Sequence, residues 1–168
     1  MATKSFSELK TRTDTAWANL TRQLHGMDSH MERTDAPGEW TTREVLSHLL
    51  FEPGADFVRL LKRFDAKDLP LVEVEAGTPY MNAERRTMTL SQLRDAIDQQ
   101  RRAVFDYIGT LSEDELLQRK ARIPLFKTFM GTDEVPIAVF VGALFDYHWT
   151  DHAGQLAKIR KAVGLPSA

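Results

Sequence analysis

Four stretches of this chain place apolar residues at intervals of three and four, and that periodicity constrains the fold more than any other feature. The first runs Phe6, Leu9, Thr13, Trp17, Leu20, Leu24 and Met27, one face of a single helix. Ser5 and Glu8 have the spacing of a capping box at its start, and its end is expected between Met27 and Arg33. Pro37-Gly38 breaks the chain before Thr41 and Glu44, a second capping box. The helix opened there carries Val45, Leu46, Leu49, Leu50 and Phe51, apolar over most of its circumference and so largely buried. Pro53-Gly54 should end or kink it, because proline lacks the backbone donor and clashes with the preceding turn. Ala55 to Phe64 is read as its bent continuation.

A long connection to Met88 follows, with Pro70, Gly77 and Pro79 and no strong period. Connections of that length in compact domains are often functional. Leu71 to Val74 is read as loop, with a short β-ribbon as the alternative. Thr89 and Gln92 cap a third helix, whose stripe is Leu90, Leu93, Ile97, Val104, Ile108 and Leu111, interrupted by Gln100 and Arg101. Ser112 to Gln118 reads as a short capped helix and Ala121 to Val135 as irregular chain. Pro136 suits a first helical position, and the fourth helix is expected over Ile137 to Val163, stopped by Gly164 and Pro166. Four amphipathic helices without a β repeat predict an all-α, four-helix bundle, with a long loop between helices two and three and a short helix before the fourth. With 168 residues and no internal repeat or linker, residues 1–168 are read as one domain.

Composition narrows the chemistry. With 22 Lys+Arg against 24 Asp+Glu, no basic footprint exists for nucleic acid or an acidic membrane surface. The N-terminal segment lacks the apolar core of a secretion signal, and the longest apolar stretch, Val135 to Phe145, is too short to span a bilayer. A cytoplasmic protein is the expectation. The chain has no Cys, so disulfides and thiolate metal sites are excluded, and any sulfur nucleophile must come from outside.

His148 and His152 stand four apart on the fourth helix, about 40° apart around its axis and one turn above each other. They share a face with Ile137, Val141, Leu144 and Ile159, so both imidazoles should point into the bundle. Buried rings at this spacing need partners, and one divalent metal satisfies both. His48, the polar residue in the apolar run Val45 to Phe51, can complete a three-histidine set if helices two and four are neighbours. Catalytic zinc uses three neutral ligands with an open fourth position. Three hydrogen-bonded packing histidines are the alternative. His25 and His30, near the end of the first helix, read as solvated. Trp149 stands where the zinc-protease helix requires Glu.

The sequence Glu-Val-Leu-Ser-His48-Leu-Leu, followed in the last helix by His148-Trp-Thr-Asp-His152-Ala-Gly-Gln155, resembles the DinB/YfiT-like superfamily. The likeness covers nearly the whole chain. It implies a four-helix bundle, usually a homodimer, that holds a divalent metal through His48, His148 and His152. Zinc is the first candidate ion, with nickel or another as alternatives. Relatives include a mycothiol-dependent maleylpyruvate isomerase and bacillithiol S-transferases, which implies a metal-activated low-molecular-weight thiol used for transfer to, or isomerisation of, a small molecule. A metal-dependent hydrolase and a non-catalytic metal-binding stress-response dimer are the alternatives. Glu52 is a candidate general base or ligand-orienting group, with a solvated residue at the Pro53 kink as the alternative, and Gln155 a candidate to orient a ligand or substrate, with a buried hydrogen bond within the bundle as the alternative. Tyr80, Asn82 and Arg85 in the long loop are candidates to cover the metal and contact a cofactor or substrate.

Overall fold

The computed structural model describes residues 3–168. Its long elements are α1 (Lys4–Gln23), α2 (Thr42–Leu49), α5 (Leu90–Ile108) and a terminal run made of α8 (Ile137–Gly142), a π-helical turn over Ala143–Tyr147, and α9 (His148–Ala162). Shorter helices fill the connections: α3 (Phe57–Lys62), α4 (Ala83–Thr87), α6 (Glu113–Gln118) and α7 (Pro124–Met130). The expected four-helix bundle is therefore present. Among the described residues, no helix is long and apolar enough to cross a membrane.

Packing follows the stripes. α1 lies along α9, and α2 sits against both α5 and α9, so the helix carrying His48 neighbours the helix carrying His148 and His152. Leu9, Leu20, Leu24 and Met27 of the first stripe are buried, as are Leu93, Ile97, Val104 and Ile108 of the third. Trp17 and Trp149 join α1 to α9 with ring centroids 5.2 Å apart. Below them, buried Arg160 donates to the carbonyls of Gln23 and His25 at the end of α1 and to that of Pro166. One guanidinium thus satisfies carbonyls that a helix C-terminus leaves without partners.

Capping boxes start α2 at Thr41/Glu44, α5 at Thr89/Gln92 and α6 at Ser112/Glu115. The start of α1 differs from expectation. Thr3 is its N-cap and accepts from the amide of Phe6, while Ser5 donates from its backbone to Glu113 and so ties α1 to α6. The first helix also stops earlier, at Gln23, followed by a 3₁₀ turn over Asp28–His30. α2 ends at Leu49, ahead of the proline, because Phe51 turns to a left-handed φ of 58°.

The segment expected to be irregular holds β1 (Lys120–Arg122), α7 and β2 (Glu134–Pro136), with Ala121 opposite Val135 in an antiparallel pair. Both of those residues are fully buried, while Arg122 and Asp133 pair at 3.1 Å outside. Three-residue strands are too short to show a period of two. Residues 71–74 form no strand, but Leu71 bridges to Arg122 and Val72 donates to the Arg122 carbonyl. Pro136 closes β2 and precedes Ile137, the first helical residue. The terminal helix is thus not uniform. In its π turn the His148 amide bonds the Ala143 carbonyl five residues back, one residue more than an α turn, and such turns occur often at functional sites.

Candidate metal centre

α2 delivers His48 from its last turn, and α9 begins with His148 and brings His152 one turn later. The three rings converge through Nε2: His48 to His148 at 2.7 Å, and His152 to His148 at 3.0 Å. One ligand atom from each ring lies within 4.8 Å of the others, and the trio forms a group that could hold a metal ion. His48 and His152 are 6% and 8% exposed.

The outer nitrogens set the tautomers. His48 Nδ1 lies 2.7 Å from the Thr78 carbonyl, which can only accept, so that nitrogen carries the proton. His152 Nδ1 donates in the same way to Gln155 Oε1 at 2.8 Å. Both inner nitrogens therefore present lone pairs. His148 Nε2 can donate a proton to just one of them, and doing so leaves its buried Nδ1 as an acceptor without a donor. With the proton on Nδ1 instead, a buried donor has no partner and three lone pairs face one another. His148 Nδ1 is indeed buried without a hydrogen-bond partner, an arrangement that costs about 1–3 kcal/mol.

Protonation does not relieve the conflict. Burial, reinforced by positive charge on His152 and His48, lowers the pKa of His148 to about 3, while the Leu144 carbonyl works the other way without reaching Nδ1 in hydrogen-bond geometry. Desolvation also lowers His48 and His152, opposed by the Thr78 carbonyl and Gln155 respectively. All three rings stay neutral at physiological pH, the state a metal requires. A divalent cation accepts three lone pairs at once, and its outer partners are the carbonyl or amide oxygens that usually orient ligating histidines. A tetrahedral ion would hold such nitrogens about 3.3 Å apart, so the rings must open by about half an ångström. The donor set fits.

Aromatic groups surround the trio. Trp40 lies 4.8 Å from His48 and stacks on His152 at 6.1 Å, with the planes 8° apart. Tyr80 lies nearly parallel to His48, and Phe51 sits 6.0 Å from His148. Phe51 and Tyr80 both adopt left-handed backbone, φ 58° and 52°, which is costly for bulky side chains. Their carbonyls converge on buried Arg85, whose Nη1 donates to Ser47 O, Phe51 O and Tyr80 O.

The sequence candidates thus occupy different places. Gln155 is beside the trio, in contact with His152. Glu52 is exposed and lines a cavity of about 400 Å³ that borders the histidines through Phe51, Thr78, Tyr80 and Leu144. Tyr80 lines that cavity and donates from its hydroxyl to the Glu75 carbonyl. Asn82 caps α4 by accepting from the Arg85 amide. Arg85 is 7% exposed and holds the end of α2 to the loop, so neither of these two points its polar group at the trio. Sequence reasoning did not single out Thr78, Trp40 or Phe51. Thr78 acts through its backbone, which no residue type announces, and Trp40 next to a helix cap carries no spacing signal.

No protein-family model matches the chain, and no curated protein matches it. Solved structures do. YfiT from Bacillus subtilis, described as a probable metal-dependent hydrolase with an unusual four-helix bundle topology, aligns with a TM-score of 0.74 at 15% identity, over 99% of this chain and 92% of YfiT. DfsB, a sibling lethal factor precursor, aligns with a TM-score of 0.65 at 19% identity, over 98% and 99%. A Streptococcus pneumoniae protein aligns with a TM-score of 0.64 at 14% identity, over 97% and 94%. In fold, this chain is a four-helix bundle that shares the topology of YfiT.

Proposed function

We propose that this protein is a divalent-metal-dependent hydrolase of a small organic substrate, with His48, His148 and His152 as ligands and zinc as the first candidate ion. One observation carries the reading: three neutral imidazoles aim their inner nitrogens at one point while Thr78 and Gln155 hold two of them from outside. A divalent cation with an open coordination place supplies Lewis acidity and a nucleophile at neutral pH. The residues of the chain do the rest. Thr78 and Gln155 keep the protons of His48 and His152 on Nδ1. Trp40 and Phe51 limit water around the rings. Glu52 lines the adjoining cavity, and its carboxylate is the acceptor we propose for a proton from an incoming nucleophile. Asn82 and Arg85 act on the substrate side only by shaping the loop that carries Tyr80.

Thiol S-transfer or isomerisation would use the same ligands. The cavity is lined by Glu52, Glu73 and Glu75, which repel carboxylate-bearing thiols such as glutathione, and that favours water as the nucleophile. A homodimer belongs to the same proposal and is checked by sedimentation equilibrium.

The test is metal analysis of untagged protein, followed by a panel of esters and amides assayed with and without added thiol. Near-stoichiometric metal, lost in a folded His148→Ala plus His152→Ala variant, and thiol-independent turnover are expected. Metal without any turnover would reduce the protein to a binder. Turnover that strictly needs a thiol would restore the transferase reading, and a folded protein that takes up no metal would end both.

A further inference from the structure

The cavity beside the trio has a chemical character of its own. Phe51, Phe57, Phe140 and Leu144 form an apolar, largely aromatic wall, and Thr78 and Tyr80 connect it to His48. Its volume of about 400 Å³ falls within the range of small-molecule pockets. Its charged lining is one-signed: Glu52, Glu73 and Glu75 contribute carboxylates, and among the described residues that line it none is a Lys, Arg or His. Glu52 comes from the turn after α2 and the other two from the loop that faces it, so the carboxylates reach the cavity from two separate stretches of chain. All three are exposed, which places them at the mouth while the phenyl rings line the wall.

We propose that this cavity binds a substrate with an apolar body and a positively charged amine, the ammonium held at the carboxylate mouth and the body against the phenyl rings. This deepens the hydrolase reading and rests on it for the word substrate, since Phe51, Thr78 and Tyr80, which touch the histidines, line the same cavity. Two physical effects act together. Carboxylates of one sign at a partly enclosed mouth raise the local concentration of cations, and the phenyl rings remove the apolar body from water. An anionic ligand of the same body gains the same burial but meets repulsion at the mouth.

The experiment compares 4-phenylbutylamine with 4-phenylbutyrate, two probes with one apolar body and opposite charge. Binding is followed by calorimetry and by amide chemical shifts, on the protein as purified and after removal of any metal with a chelator. We expect the amine to bind at least about tenfold more tightly at low salt, with shifts at Tyr80 and Phe51 and a preference that shrinks as salt rises. In the Glu52→Gln, Glu73→Gln, Glu75→Gln variant, which alters exposed positions only and is checked by circular dichroism, the two affinities should converge. Equal affinities in the wild type, tighter binding of the acid, or no binding of either overturns the proposal, as does a preference that survives the triple substitution. Because binding needs no turnover, a protein that prefers the amine yet hydrolyses nothing leaves this inference standing and removes only the hydrolase reading.

Discussion

At the residue scale, the burden falls on groups that touch a histidine from outside. Gln155→Leu removes the acceptor of His152 Nδ1 and frees that ring to change tautomer and orientation. Loss of an outer partner of this kind weakens metal affinity by about 10- to 100-fold, and titration of the metal-free protein against a competing chelator should show it, whereas Gln155→Glu should retain binding. Arg85 offers a contrast. Burial lowers its pKa, opposed by Glu84, and its guanidinium accounts for carbonyls of α2 and of the loop together. Arg85→Met should cost about 1–3 kcal/mol of stability for each buried carbonyl left without a donor, read in a urea titration. A cost under 1 kcal/mol would show that water replaces the guanidinium freely.

At the element scale, each helix end near the site is held by a specific group. The Thr41/Glu44 box starts α2, and Gln100 of α5 donates to the Leu49 carbonyl at its other end. Thr41→Ala should destabilise by about 1 kcal/mol with metal stoichiometry unchanged, because the packing of α2 against α5 and α9 still places His48. The π turn over Ala143–Tyr147 absorbs one extra residue without shifting the helices on either side. Deleting one residue from it leaves the His148 amide four residues from the Ala143 carbonyl, an α turn that keeps α8 and α9 in register. Helix content by circular dichroism and metal stoichiometry should both persist in that variant, and a steep loss of metal would show that the wide turn sets the site.

At the scale of the whole molecule, three depressed histidines make stability pH-dependent. In the unfolded chain each titrates near 6.5, and in the native state burial lowers all three, His148 to about 3. Above pH 6.5 both states hold neutral rings and nothing is lost. Below it the unfolded chain binds protons that the folded rings refuse, so stability declines from about pH 6.5 toward pH 3. The metal-free protein should therefore lose several kcal/mol across that window, followed by urea midpoints, and a His148→Gln variant should show a shallower decline. Bound metal should raise the midpoint at neutral pH and lose that effect on acidification, because protons compete for the same nitrogens.

Much of this architecture is written in local pattern. The stripes on α1 and α5 and the boxes at Thr41, Thr89 and Ser112 were legible because helical period and cap chemistry act over three to seven residues. His148 and His152 were legible as a pair for the same reason, and His48 as a polar residue in an apolar run. The Thr78 carbonyl behind His48, the left-handed turns at Phe51 and Tyr80, the buried engagement of Arg85 and the carboxylates gathered around one cavity were not. Each depends on groups brought together from distant positions in the chain, as with Thr78 and His48, thirty residues apart. Local sequence settled which segments are helices and which faces they bury. Tertiary packing alone decided that three imidazoles meet and which charges surround the space beside them, because those contacts form only when separate helices and the long loop close on one another.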